Sequence, residues 1–233
     1  MTSSTFRGAI ALALLAVCLA GCAQTREMKA TGAANFDWSG PQKRIVLIQP
    51  DVVLAELTAG GLNEPRADWT NTARDLISKG IAGSLDQRNI SVTELDTLTN
   101  AHDVQLVKLH GAVGNEIRQH GFGGATLPTK GSALDWTLGP GTQDMRQRYN
   151  ADYAMFVYVR DSYATAGRRA VQFLGAIAGI GIQGGVQVAF VSVVDLRTGN
   201  VVWFNTLFSQ YGDLRDAKGA TSFLNDILKG NPL

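Results

Sequence analysis

Three stretches of this chain are apolar on both faces, and strands of that kind can only lie inside a sheet covered on both sides. They are Ile45–Ile48 within the run KRIVLIQP, Asp152–Asp161 (DYAMFVYVRD) and Val186–Leu196 (VQVAFVSVVDL). The first is stopped by Pro50, and the second is aromatic and β-branched throughout, which places it centrally. Between them lie stretches of helical period. Trp69, Ala73, Leu76, Ile77, Gly80, Ile81 and Leu85 recur at spacings of three and four behind Asp68, which reads as an N-cap. Leu106, Leu109, Val113 and Ile117 mark a second helix over Ala101–Gln119, with Asn100 as its cap. A short helix is expected over Thr142–Asn150 after the break at Gly139-Pro140-Gly141, and a last one over Ala217–Lys229. Ile90–Leu95 alternates as a strand. Val201–Gln210 returns from Val186–Leu196 through the turn Arg197-Thr198-Gly199-Asn200, where Gly199 suits a positive φ. Residues 51–67 hold Gly60-Gly61 and Pro65 and read as a loop, with Val52-Val53-Leu54 able to form a short strand.

The order β-α-β-α-(α)-β-β-β-α implies an α/β class with a mixed sheet of about five strands and helices packed on it. Strands joined through helices should run parallel, and the final hairpin antiparallel. Residues 44–233 form one domain on this reading, a length that supports one full core.

The amino terminus reads as targeting, not fold. Arg7 precedes twelve apolar residues, Ala9–Ala20, too few to span a bilayer core, which takes ~20. The run closes on Leu19-Ala20-Gly21-Cys22, which resembles the lipobox of bacterial lipoproteins. That resemblance implies cleavage between Gly21 and Cys22, with Cys22 carrying three acyl chains. One acyl chain holds a protein only marginally, and several make attachment effectively permanent. Ala23 at the following position implies sorting to the outer membrane, facing the periplasm. Residues 1–21 are then signal peptide, and 22–43 a flexible tether rich in Ala, Gly, Thr, Gln and Lys.

Removal of residues 1–21 from 233 leaves 212, and the loss of Arg7 leaves 20 Lys+Arg against 20 Asp+Glu. A neutral chain has no basic excess for nucleic acid. Cys18 leaves with the signal and Cys22 is acylated, so no disulfide and no cysteine nucleophile is expected.

The lipobox, the strand Arg44–Gln49, Ala151-Asp152-Tyr153 entering a strand, and the hairpin Val194–Trp203 (VDLRTGNVVW) together resemble one group. It is the envelope lipoproteins related to the curli-secretion channel subunit, which share a fold with the amino-terminal domain of the Tol-Pal translocation protein. The resemblance covers residues 43–229 by element order. It implies a non-enzymatic part in envelope assembly or secretion. A pore of that architecture needs paired membrane strands of ~9–11 alternating residues. Residues 51–67 are too short for such a pair, and 162–184 are glycine-rich without alternation.

Several motifs compete with this reading. Gly179–Gly184 (GIGIQG) matches the dinucleotide fingerprint, but a strand follows it where a helix is required, so no nucleotide is expected. Phe173–Ile182 (FLGAIAGIGI) carries no charge, and Gly175 with Gly179 makes a small-xxx-small pair. The simpler expectation is a buried connector closing over the sheet. The sharper one makes Phe173, Gly175, Ile177 and Gly179 a contact for a partner or a second copy. His102, His110 and His120 are spaced by eight and ten, about 80° apart around a helix, and do not converge on a metal. They read as solvent-facing or helix-end residues. Asp152, Asp161 and Asp195 end strands, where carboxylates cap turns or pair with Arg160 and Arg197, though a general acid–base pair stays open. Trp69, Trp136 and Trp203 read as packing residues.

The sequence therefore points to a lipid-anchored envelope protein acting in binding or assembly, without cofactor or metal, with other envelope proteins or its own copies as partners. The alternatives are a lipid-anchored periplasmic hydrolase using strand-end carboxylates, or a subunit of an oligomeric outer-membrane secretion pore. Cys22→Ser is expected to leave an unacylated protein lost from the membrane fraction; normal fractionation of that variant would refute the lipobox assignment.

Overall fold

The computed structural model describes residues 24–30, 43–95, 97–122, 127–131 and 133–232. Gly21, Cys22 and the signal peptide lie outside the described residues, as does most of the expected tether. Eight strands form one mixed sheet: β1 (Gln24–Lys29), β2 (Arg44–Ile48), β3 (Asp51–Leu57), β4 (Asn63–Pro65), β5 (Ser91–Leu95), β6 (Tyr153–Ala164), β7 (Gln187–Asp195) and β8 (Val201–Ser209). The helices are α1 (Ala67–Asp86), α2 (Ala101–Gly121), α3 (Thr142–Tyr149), α4 (Ala166–Ile177) and α5 (Ala217–Ile227). The main path of the sheet runs β1-β8-β7-β6-β2-β5, with β3 on β6 and β4 on β3.

β6 is the centre, as its two-faced apolar sequence requires. Its whole length pairs antiparallel with β7 up to Arg160, and its other edge is shared by two parallel partners. β2 takes Tyr153–Met155, and β3 takes Tyr158–Ala164. Pro50 explains the division. It has no N–H to donate, so the ladder breaks there and resumes at Asp51. The expected loop over 51–67 is thus in large part strand, because Val52, Leu54, Ala55 and Leu57 are buried against β6.

Side chains alternate across the sheet and divide the core into two layers. Ile45, Leu47, Met155 and Trp203 meet α1 and α5 through Ile77, Ile81, Phe223 and Ile227. Val46, Ile48, Phe156, Phe190 and Phe204 meet α2 and α3 through Leu106, Ile117 and Met145. The chain is an α/β domain of the expected class with more strands than expected. β2 pairs parallel with β5 and β6, and β7 with β8 antiparallel.

Asn100 caps α2 as read, its Oδ1 accepting from the N–H of His102 and Asp103. Asp68 does not cap α1. The helix starts at Ala67, the capping position falls on Arg66, and Asp68 sits in the first turn, where its charge favours the helix amino terminus. Gly199 takes φ 79°, closing the turn with its N–H on the Asp195 carbonyl at 2.7 Å. α2 and α3 are tied by Asp103, fully buried, which accepts from Arg148 Nη1 at 2.6 Å and Tyr149 Oη at 2.5 Å.

The largest departure is β1. Gln24–Lys29 lies within the expected tether yet pairs antiparallel with β8, from Gln24 opposite Phe208 to Lys29 opposite Trp203. Its two faces reach both helical layers. Glu27 accepts from Trp203 Nε1 at 2.8 Å, and Met28 packs on the other side beside Phe204 and Ile117. The outer edge of β8 is thus occupied by the chain itself.

Close packing of α2 on the sheet depends on glycine. A Cβ at Gly114 would run into the ring of Phe190, itself stacked on Tyr158 at 4.5 Å and on Phe204 at 5.5 Å. Gly114→Ala is expected to destabilise the domain by about 1–3 kcal/mol through overpacking, read as a lower urea midpoint with unchanged slope.

Candidate functional site

The chain builds its most elaborate surface at the carboxyl end of β6, where Trp69 of α1 packs on Tyr163 at 5.8 Å. Tyr153–Val159 are largely buried, whereas Arg160, Ser162, Tyr163 and Ala164 are partly open. Two clefts flank this end. One, of about 460 Å³, is lined by Val53, Leu57, Arg160, Arg168 and Val188. The other, of about 530 Å³, is lined by Asp161, Tyr163, Arg169, Gln187, Tyr211 and Arg215. α4 and the segment 182–185 lie across the strand end between them.

The second cleft contains a buried carboxyl. Asp161, 6 % exposed, accepts from Tyr163 Oη at 2.6 Å and Gln187 Nε2 at 2.8 Å, and burial pushes its pKa up to about 6. Tyr163 is held in turn, its hydroxyl accepting from the Leu214 N–H at 2.8 Å. Arg215 covers the Tyr163 ring at 4.1 Å and the Trp69 ring at 4.8 Å. Its guanidinium also makes two hydrogen bonds to Asp213, at 2.8 and 2.6 Å, and this holds the Asp213 carboxyl below its usual range.

The other two strand-end carboxylates are elsewhere. Asp152 receives two hydrogen bonds from Arg44, at 3.1 and 3.0 Å, which lowers its pKa. Asp195 caps the β7–β8 turn through the Arg197 N–H at 2.8 Å. Tyr153 is paired with Asp195, so these two acids share the opposite end of the sheet from Asp161. Nine residues of strand separate Asp152 from Asp161, about 30 Å. Asp161 is therefore not paired with either of the other two strand-end acids. Arg197 lies 3.5 Å from Asp195 as expected, but Arg160 pairs with Asp51 at 2.9 Å instead of with Asp161.

The histidines divide. His102 and His120 sit near the helix ends beside Asp144 and Glu116. His110 is not a surface residue: it is 2 % exposed, stacks on Phe156 at 4.8 Å, and its Nε2 lies 2.7 Å from Ser192 Oγ. Burial drives its pKa down to about 3. Gly111 and Gly114 bring α2 close enough to the sheet to enclose it, a cause that helical spacing does not reveal. Among the described residues no three His, Cys, Asp or Glu side chains come together as a metal site needs. Trp203 is buried as expected. Trp69 lies between the guanidinium groups of Arg66 and Arg215, and Trp136 beneath Lys130.

The segment Phe173–Ile182 is neither buried nor a plain connector. Its first half belongs to α4, and that helix is turned inside out. Phe173, Leu174 and Ile177 are 68, 64 and 70 % exposed, and Ile180 beyond the helix is 59 % exposed. The face toward the protein is polar or small. Thr165 caps the helix, Arg168 donates to the Gln183 carbonyl at 3.1 and 2.8 Å, and Gln172 donates to the Ile182 carbonyl at 3.2 Å. Of the four residues singled out from the sequence, Phe173 and Ile177 face out and Gly175 faces in. A Cβ there would meet Ile182 Cδ1 at 2.6 Å. Gly179 ends the helix at φ 73°, with its N–H on the Ala176 carbonyl. Gly179–Gly184 therefore follows a helix and precedes a strand, the reverse of a nucleotide loop. Leu174, Ile180 and the Asp161–Tyr163–Gln187 set were not singled out; only the period of α4 signalled the first.

No protein-family model matches the chain, and no curated protein matches it. Among solved structures it is similar to a PelC dodecamer from Paraburkholderia phytofirmans, with a TM-score of 0.38 and 15 % identity over 89 % of this chain and 96 % of that one. A point variant of the same PelC dodecamer in another space group gives 0.37 and 15 %, over 89 % and 95 %.

The two buried titrating groups pull stability in opposite directions. Between pH 6.5 and about 3 the unfolded chain protonates His110 and the folded chain does not, so stability falls with pH, by up to about 1.4 kcal/mol per unit. Asp161 keeps its proton in the fold up to about pH 6 but loses it near 3.8 when unfolded, so it stabilises below 3.8 and that contribution is lost as pH rises through 6. Asp161→Asn should therefore gain stability relative to wild type between pH 4 and pH 8, and His110→Phe should flatten the acid limb. Urea midpoints at the two pH values check both, and parallel shifts would refute them.

Proposed function

We propose that this chain is a lipid-anchored protein of the outer membrane, facing the periplasm, that works by contact rather than by catalysis, as a binding or assembly component of an envelope or secretion complex. The observation that carries this reading is the outward apolar face of α4. A helix that could bury Phe173, Leu174 and Ile177 instead holds them in solvent, fixed by hydrogen bonds on its polar side. Such a face marks an interaction surface in a soluble domain. The lipobox at Cys22 supplies the anchor, and Asp161 stands at the other end of the sheet from Asp152 and Asp195.

The double variant Phe173→Asp, Ile177→Asp tests it in the producing cell. In-cell crosslinking should lose its adducts to envelope proteins or to other copies by at least tenfold, because covering this apolar face, at ~1.5–3 kcal/mol for each side chain, fixes how the rest of the domain is presented to them. The thermal midpoint should stay within a few degrees, since neither side chain packs in the core. Asp161→Asn should leave the adducts unchanged. Survival of the adducts in the double variant, together with loss of cellular function in Asp161→Asn, would overturn the reading in favour of a hydrolase.

A further inference from the structure

The exposed apolar residues are not scattered over the domain. Among the described residues eight large hydrophobic side chains are exposed, and the strand register places seven of them at one end of the sheet. Four are in and just beyond α4, which leaves the sheet at the end of β6 and returns at the start of β7. Leu62, 69 % exposed, sits in the turn after β3, and β3 runs parallel to β6, so this turn lies at the same end. Arg168 binds the turn to α4 through the Ala59 carbonyl. Phe208 and Tyr211, 46 and 54 % exposed, lie at the end of β8, where Ser209 pairs with Gln187. Only Leu109, midway along α2, is elsewhere.

The same register locates the anchor. Gln24 pairs with Phe208, so the amino end of β1 arrives at this apolar end and not at the opposite one. Cys22 is two residues before Gln24, and two residues of chain reach at most about 7 Å. The acyl chains must therefore enter the bilayer beside Phe208 and the α4 face. A domain held that closely cannot turn this end far from the membrane.

We infer that the α4 end of the domain lies on the phospholipid leaflet that holds the acyl chains, with Phe173, Leu174, Ile177 and Ile180 seated among the lipid headgroups and upper acyl segments. This rests on the reading of Cys22 as the anchor and names the surface that α4 meets. The chemistry fits an interfacial helix. α4 has twelve residues, about 18 Å, too short to cross a bilayer, and no helix among the described residues is long and apolar enough to do so. It has one apolar stripe and a polar back, and Arg169 on its first turns suits lipid phosphate.

The test uses the full acylated chain with Ile177→Cys, carrying an environment-sensitive fluorophore, in vesicles of phosphatidylethanolamine and phosphatidylglycerol. The introduced thiol is unique once Cys18 has left with the signal and Cys22 is acylated. Emission from position 177 should shift to the blue and be quenched by a nitroxide-bearing lipid. The same label at Thr198→Cys, in the β7–β8 turn at the far end, should remain water-like. In the signal-free Cys22→Ser chain, Phe173→Ser should lower partition into the same vesicles by about tenfold. A label at 177 as water-exposed as that at 198, in a chain that stays on the membrane, overturns the inference and leaves the anchor standing. A label shielded from water but untouched by the lipid quencher also overturns it, and identifies a second copy or another protein as the occupant. A wild-type chain absent from the membrane fraction defeats the anchor reading itself.

Discussion

The hydrogen-bonded ladder along β6 is the constraint from which the rest of the domain follows. Twelve residues of strand are about 40 Å long. β7 satisfies one edge up to Arg160, and the other is served by β2 and then β3, in series, because Pro50 cannot continue one ladder. Up to Val159 the side chains of β6 alternate into two cores. Beyond it the strand carries polar groups that need partners of their own. Asp161 finds them in Tyr163 and Gln187, and Ser162 bonds the Val186 backbone. The clefts, the buried carboxyl and the outward helix all lie at this one end of β6.

Satisfying that end shapes its electrostatics. Burial would leave Asp161 costly as an unsolvated anion, and its two hydrogen bonds offset only part of the penalty, so its pKa rises. Tyr163 joins this carboxyl to the Leu214 backbone, and Arg215 closes over the ring while its charge is balanced by Asp213. The cations of this end are likewise committed to structure: Arg160 to Asp51, and Arg168 to main-chain carbonyls. At this end Arg160, Arg168 and Arg215 are engaged with the protein itself, while Phe173, Leu174 and Ile177 point outward.

The strong elements were legible in the sequence for a physical reason: where a side chain's burial is set by its own element, periodicity reports it. The two-faced runs became β2, β6 and β7, the stripe of α1 became its buried face, and Asn100 capped α2. The misses all involve partners far along the chain. Gln24–Lys29 has no apolar pattern, and it is a strand because β8 offers a free edge and Trp203 an indole N–H for Glu27. His110 is buried because glycines in its own helix let it approach Phe156 and Ser192. α4 shows the limit most plainly. In the sequence it showed only as the uncharged run from Phe173, and such a run gives neither the helix nor the direction of its apolar face. The direction comes from Arg168 and Gln172 reaching carbonyls ten and more residues ahead.

β1 changes what the amino terminus does. As a free tether, the chain from Cys22 to Lys43 could extend about 70 Å and would leave the domain's orientation to chance. With β1 on β8, Gln24–Lys29 is held by a ladder of hydrogen bonds whose register is anchored by Glu27 on Trp203 and Met28 in the α2 layer. β1 is otherwise mostly exposed, so its hold on β8 is weaker than the hold of the core strands on one another. Peeling it away costs one edge ladder and returns the long tether. The pairing of β1 is set locally, at one edge strand that contributes no fully buried residue to either core layer.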